Sequence, residues 1–150
     1  MLKTLLTSVA TAMLSISTAA YAADAPLAEP RPDWDNPRRV VLQLTEGDAA
    51  KANGVMHNAI NLQKFYGQDN VKVALVAYAG GVKPFLREGS PVAERVASLR
   101  QYGVEFLVCG NTLDALHKTE ADLLPGVAVT TSGVAELVER QLKGWTYIAP

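Results

Sequence analysis

One cysteine, two histidines and a formal net charge of −1 leave this 150-residue sequence short of what several large classes of function require. A single cysteine, Cys109, excludes an internal disulfide framework and any zinc site built from several thiolates. Fourteen Lys and Arg against fifteen Asp and Glu give no clustered positive charge of the kind a phosphate backbone needs, so no nucleic-acid partner is expected. The histidines, His57 and His117, have no carboxylate or thiolate beside them at metal-ligand spacing, and no metal site is expected. There is no G-x-S-x-G elbow, so serine-hydrolase chemistry has no foundation. The turn Thr45-Glu46-Gly47-Asp48 carries two acidic residues and no glycine-rich run, which argues against a nucleotide or flavin cofactor. Internal repeats and low-complexity tracts are also missing.

What is present is a chain long enough for one ordinary domain, with 49% hydrophobic residues, too many for a disordered polymer. Met1-Leu2-Lys3 is a short positive start, Thr4 to Ala19 is apolar and rich in Ala, Ser and Thr, and Ala20-Tyr21-Ala22 is a small-x-small pattern. Those three features in that order predict a signal peptide over residues 1–22, cleaved before Ala23, and a periplasmic location. A retained anchor fits less well, because Thr7, Thr11, Ser15, Ser17 and Thr18 dilute the apolar stretch. Cleavage removes one of the 14 basic residues and none of the 15 acidic ones, so the mature charge is −2 and no membrane partner is expected.

Residues 23–37 hold Pro26, Pro30, Pro32 and Pro37, half of the eight prolines, and read as an extended arm. Trp34 within it is either exposed to solvent or docked on the domain or a neighbouring subunit.

The folded domain is expected over residues 38–150. Arg39–Thr45, Val71–Tyr78, Val104–Val108 and Val127–Val129 are short apolar runs, read as buried strands, with a last strand around Tyr147-Ile148. Between them lie helical patterns. Asp48 caps a helix that ends at Gly67, Ser90-Pro91 opens one that runs to Tyr102-Gly103, a short helix follows Cys109, and Ser132 caps one that ends before Gly144. Continuous apolar strands separated by helices predict a three-layer α/β/α sandwich with a mostly parallel sheet of about five strands.

In such a sheet the ligand crevice lies beyond the carboxyl ends of the strands. Thr45–Asp48, Ala79–Gly81, Cys109–Thr112 and Thr130–Gly133 fall there. Cys109 closes a strand and precedes a helix start, a position whose free N–H groups favour thiolate over thiol. Gly110 permits close backbone approach, and Asn111 and Thr112 can hydrogen-bond an anion. Glu46 at the same edge is a minor candidate for proton transfer. The other reading of Cys109 is a small hydrophobe packed at a strand end. A lone thiol in an oxidising compartment favours the functional one. On the first helix Asn53, His57, Asn61 and Lys64 form a polar stripe, read as a solvated face or subunit contact.

Gly103-Val104-Glu105-Phe106-Leu107-Val108-Cys109, together with the turn Thr45-Glu46-Gly47-Asp48 and the closing Gly133-Val134-Ala135-Glu136-Leu137, resembles the DsrE/DsrF-like sulfur-relay family over about residues 39–148. The resemblance implies a five-stranded α/β/α sheet, a homo-oligomer, and sulfur carried as a persulfide on Cys109 between a donor and an acceptor thiol protein. The chain departs from the carriers' usual small-residue helix ending in Arg-Gly: here Gly110-Asn111-Thr112-Leu113 leads to His117-Lys118. Cys109-Gly110-Asn111-Thr112 is similar to an exported branch of the family. Two functions are thus set against each other. One is an exported sulfur relay or sulfurtransferase acting through Cys109. The other is a non-catalytic oligomeric module that binds a small anion or protein, with Cys109 merely packed.

Overall fold

The structure is a computed structural model that describes residues 26–150; the signal peptide expected over residues 1–22 lies outside the described residues. Strand β1 (Arg38–Leu44) leads to helix α1 (Ala49–Tyr66), then β2 (Val71–Ala77), α2 (Ala93–Gln101), β3 (Glu105–Cys109), α3 (Gly110–Ala115), β4 (Ala128–Thr130), α4 (Gly133–Leu142) and β5 (Thr146–Ile148). The strands form one sheet in the order β4-β3-β2-β1-β5, with every pair parallel. The α/β/α architecture expected from the sequence is the one observed.

The topology follows from handedness. β1 to β4 step across the sheet in one direction, so right-handed crossovers put α1, α2 and α3 on a common face. α4 returns in the opposite direction, from β4 to β5, and lies on the other face. Side-chain alternation shows the division. Val40, Leu42 and Leu44 of β1, Val73, Leu75 and Ala77 of β2, and Phe106 and Val108 of β3 join one core with Val55 and Met56 of α1 and Val96 and Leu99 of α2. Val41, Ala74 and Val76 point the other way, against Leu137 of α4. Strands covered on both faces need apolar residues at consecutive positions, and the run Val73–Ala77 is fully buried for that reason.

Local signals fix most boundaries. The Asp48 carboxylate accepts the Lys51 N–H at 2.8 Å and starts α1, and Gly67, at φ 86°, ends it. Ser132 caps α4 by accepting the Ala135 N–H at 3.5 Å. Two segments differ from the sequence reading. α2 begins at Ala93 rather than at Pro91, because Ser90 Oγ donates to the Pro84 carbonyl at 2.7 Å while accepting the Val92 N–H at 3.3 Å. That ties off the preceding loop instead of opening the helix. After β2, Ala79–Phe85, of which the sequence reading placed only Ala79–Gly81 at the crevice edge, is a 3₁₀ segment that buries Val82 and Phe85. Trp34 in the arm is 75% exposed. Among the described residues no helix is long and apolar enough to cross a membrane.

Candidate functional site

Cys109 is the last residue of β3, one strand in from the β4 edge. Val108 faces the core shared with α1 to α3, so strand alternation turns Cys109 toward the face of α4. The chain enters α3 directly at Gly110, and α4 starts after the neighbouring strand β4. Two helix beginnings therefore flank one sulfur, from opposite faces of the sheet. Only 6% of the residue is exposed.

Close approach makes this possible at two glycines. A side chain at Gly110 would come within 3.2 Å of the Thr130 carbonyl oxygen, so glycine lets the start of α3 pass against the end of β4. At Gly133 a methyl group would stand 3.1 Å from Tyr78 Cβ and 3.2 Å from Cys109 Cβ. The absence of that methyl allows the first turn of α4 to settle directly over the cysteine.

The electrostatic outcome is a contest between burial and hydrogen bonding. Burial pushes the Cys109 thiol up. Hydrogen bonds from the Gly133 N–H, from the Thr112 hydroxyl and N–H, and from the Asn111 N–H together outweigh it, and the thiol stands below its ordinary value. The Asn111 N–H also donates to the Thr131 carbonyl at 3.2 Å. Helix starts expose unpaired N–H groups, and these groups favour negative charge. The arrangement can hold a thiolate.

Further groups frame the sulfur. Tyr78, against which Gly133 packs, donates its hydroxyl to Gln43 Oε1 at 2.8 Å, and Tyr147 donates to the same oxygen at 2.5 Å. Burial, with the neighbouring Tyr147, raises the Tyr78 phenol above its usual value, so it stays protonated as a donor. α4 itself is held down by Arg140. Its guanidinium donates to Glu105 of β3 at 2.8 Å and to Glu136 of α4 at 2.7 Å, and lies 4.3 Å from the centre of the Trp145 ring.

The structure thus brings Cys109, Gly110, Asn111 and Thr112 together. Glu46 is exposed, and its carboxylate accepts the hydroxyl of its neighbour Thr45 at 3.1 Å; no hydrogen bond joins it to the sulfur. His117 lies beyond the far end of α3. Gly133, the donor from the opposite face, had been placed at this edge by sequence without a role. Tyr78, Gln43 and Tyr147 carried no sequence signal, since they sit on or beside three different strands. Among the described residues no group of three or more His, Cys, Asp or Glu is placed to hold a metal ion.

The described residues thus form an open, all-parallel α/β domain with a thiol at the carboxyl edge of its sheet. The model of the DsrE/DsrF-like family matches residues 39–150, and the chain belongs to that family. The solved structure of MTH1491 from Methanobacterium thermoautotrophicum, described as a protein of unknown function, is 38% identical with a TM-score of 0.71; the match covers 75% of this chain and 99% of that one. The ychN protein from E. coli is 18% identical with a TM-score of 0.63, over 76% of this chain and 99% of its own, a likeness of fold alone. A comparison with curated proteins finds no match.

Proposed function

We propose that this protein is an exported sulfur relay that carries sulfane sulfur as a persulfide on Cys109 and yields it to an acceptor thiol. The observation that carries the reading is the place of one sulfur between two helix starts, α3 directly after it and Gly133 of α4 packed against Cys109 Cβ. Family membership supports a relay role in general terms. The sequence features of residues 1–22 support a periplasmic location.

The reaction is an exchange. The Cys109 thiolate attacks the outer sulfur of a donor R–S–SH. The new Sγ–S bond forms as the donor's S–S bond breaks, and the electron pair leaves with RS⁻. In delivery an acceptor thiolate takes the outer sulfur, and Sγ departs as thiolate. No net oxidant or reductant is consumed. With no second cysteine in the chain, the intermediate cannot close as an internal disulfide, which suits a carrier.

A homo-oligomer is part of this reading. One helix, about 10 Å across, covers the second face of a sheet of five strands spaced about 4.8 Å apart. Val134, Val138 and Leu142 recur at four-residue spacing on α4 and are all exposed, Leu142 at 77%. A second copy of the chain is the partner we assign to that stripe.

The low exposure of Cys109 favours a second reading, a binding module whose cysteine is only packed. Intact mass decides between them. Mature wild type and Cys109→Ser are incubated with a polysulfide donor and weighed before and after reductant. The relay reading expects added sulfur on wild type alone, removed by reductant. Unchanged mass, with a thiol that alkylating reagents reach only after unfolding, leaves the binding module.

A further inference from the structure

The arm that precedes β1 carries one large apolar side chain, and the chain leaves it uncovered. Asp33 makes an Asx turn: its carboxylate accepts the Asp35 N–H at 3.0 Å and the Asn36 N–H at 2.8 Å. Trp34 stands on that turn, exposed to solvent, with an acidic residue on each side of it. The arm is also tied to its own chain, since the Arg38 guanidinium donates to the Ala28 carbonyl. One exposed apolar residue by itself calls for no partner. The reason for one lies on another surface.

That surface is at the same edge of the sheet as the arm. β1 begins at Arg38, beside Val71 at the start of β2. α1 leads into β2 and α2 into β3, so the last turns of both helices end at this amino edge, at the far end of the strands from Cys109. Between them is a groove of about 350 Å³, lined by Ile60 and Lys64 of α1, Ser98 and Leu99 of α2, and Gln68 and Tyr102 just beyond. The Gln63 amide donates to the Tyr102 carbonyl at 2.7 Å and ties the two walls together. Ile60 and Leu99 give the groove apolar contact, and half-exposed Tyr102 gives it an aromatic face. Ser98 and Gln68 carry oxygens that can accept an indole N–H. Neither Lys64 in the groove nor Asp35 on the arm pairs with an opposite charge among the described residues.

We propose that the Asp33-Trp34-Asp35 turn of one copy of this chain seats Trp34 in the α1–α2 groove of a second copy, with Asp35 against Lys64. Three observations select that occupant. The groove is at the small end of ligand cavities and suits one large ring with a polar tip. The charges match, a carboxylate beside the ring and an unpaired ammonium in the groove. The chain's own arm, held by Arg38 and by the Asx turn, keeps its indole in solvent, so the ring that fills the groove comes from another copy. Exchange in both directions fills both grooves and closes the pair. The contact is at the opposite edge of the sheet from Cys109 and leaves that crevice open. It goes beyond the relay reading, depends on neither that reading nor the α4 stripe, and gives the arm a task.

The test uses the mature chain and reads Trp34 by acrylamide quenching across a dilution series, with sedimentation alongside. Trp145, the other tryptophan, gives the background through Trp34→Ala. Trp34 should be shielded at high concentration and lose that shielding on dilution. Lys64→Glu should raise the dilution midpoint several-fold, and adding Asp35→Lys to it should bring the midpoint back toward wild type. Trp34→Ala should weaken association more than tenfold by sedimentation. Trp34, Asp35 and Lys64 are exposed, so these variants keep the fold. A Trp34 quenched freely at every concentration overturns the proposal. So does one shielded in a sedimenting monomer, which would seat it in its own chain's groove. A midpoint that Lys64→Glu leaves unmoved, or that Asp35→Lys fails to restore, overturns the placement of the turn against Lys64. Sulfur loading on Cys109 should be equal in all these variants, so failure here leaves the relay reading standing.

Discussion

Gly133 and Cys109 meet across the edge of the sheet: α4 begins against the end of β3, and a methyl on Gly133 would stand 3.2 Å from Cys109 Cβ. The relationship ties the chemistry of the thiol to the seating of one helix, and it sets the first expectation. Gly133→Ala must push α4 away from Tyr78 and Cys109. Overpacking of this kind costs about 1–3 kcal/mol. Urea unfolding should show that loss, and the alkylation midpoint of the thiol should rise because its strongest donor has moved. A variant with both values unchanged would mean that α4 seats the same way with a side chain at its start.

The depressed thiol gives a pH dependence of stability with a definite sign. A group whose folded pKa lies below its unfolded value stabilises the fold above the unfolded pKa, about 8.5 for cysteine, and loses that contribution as pH falls through the folded pKa. The stability difference between wild type and Cys109→Ala, measured by urea unfolding under reductant, should widen as pH rises toward 8.5. It should be smallest in acid. A difference that is flat across that interval would show that the folded thiol titrates normally.

Arg140 fastens α4 to β3, and its removal should be felt more than the removal of either partner. Glu105 is half exposed, so Glu105→Gln is expected to cost under about 1 kcal/mol. Arg140→Ala also strips the packing over Trp145 and strands Glu136, and about 2 kcal/mol is expected from denaturant unfolding. Equal costs for the two variants would place the energy in the single Arg140–Glu105 bond.

Leu142→Lys probes the stripe on α4. Leu142 is among the most exposed apolar residues described, so the fold of a single chain should tolerate lysine within about 0.5 kcal/mol. The proposed homo-oligomer should not. Sedimentation of wild type and variant at matched concentration should show a larger species for wild type alone; identical species would remove this stripe from the interface.

The sheet was legible because its strands are short β-branched runs. Val71–Ala77 could hardly be anything but a strand buried on both faces. Asp48, Gly67 and Ser132 announced helix ends through chemistry local to the chain. Ala79–Phe85 was not legible, since one or two turns of 3₁₀ helix have no apolar period and Gly80-Gly81 and Pro84 read as a loop. At the candidate site, Cys109 and the residues after it were visible as a strand end followed by a helix start. Gly133 and Tyr78 acquire their parts only when α4 and the turn after β2 fold back over that edge, a relationship across 24 to 31 residues of sequence that no local pattern encodes.

The pairing of β5 with β1, Val40 beside Thr146 and Leu42 beside Ile148, has a consequence in time. The first strand of the domain to be synthesised waits for the last before its outer edge is satisfied. A growing chain therefore exposes Cys109 well before the Gly133 N–H exists to receive it. Until α4 emerges and docks, the end of β3 lacks the helix start that Gly133 brings against Cys109.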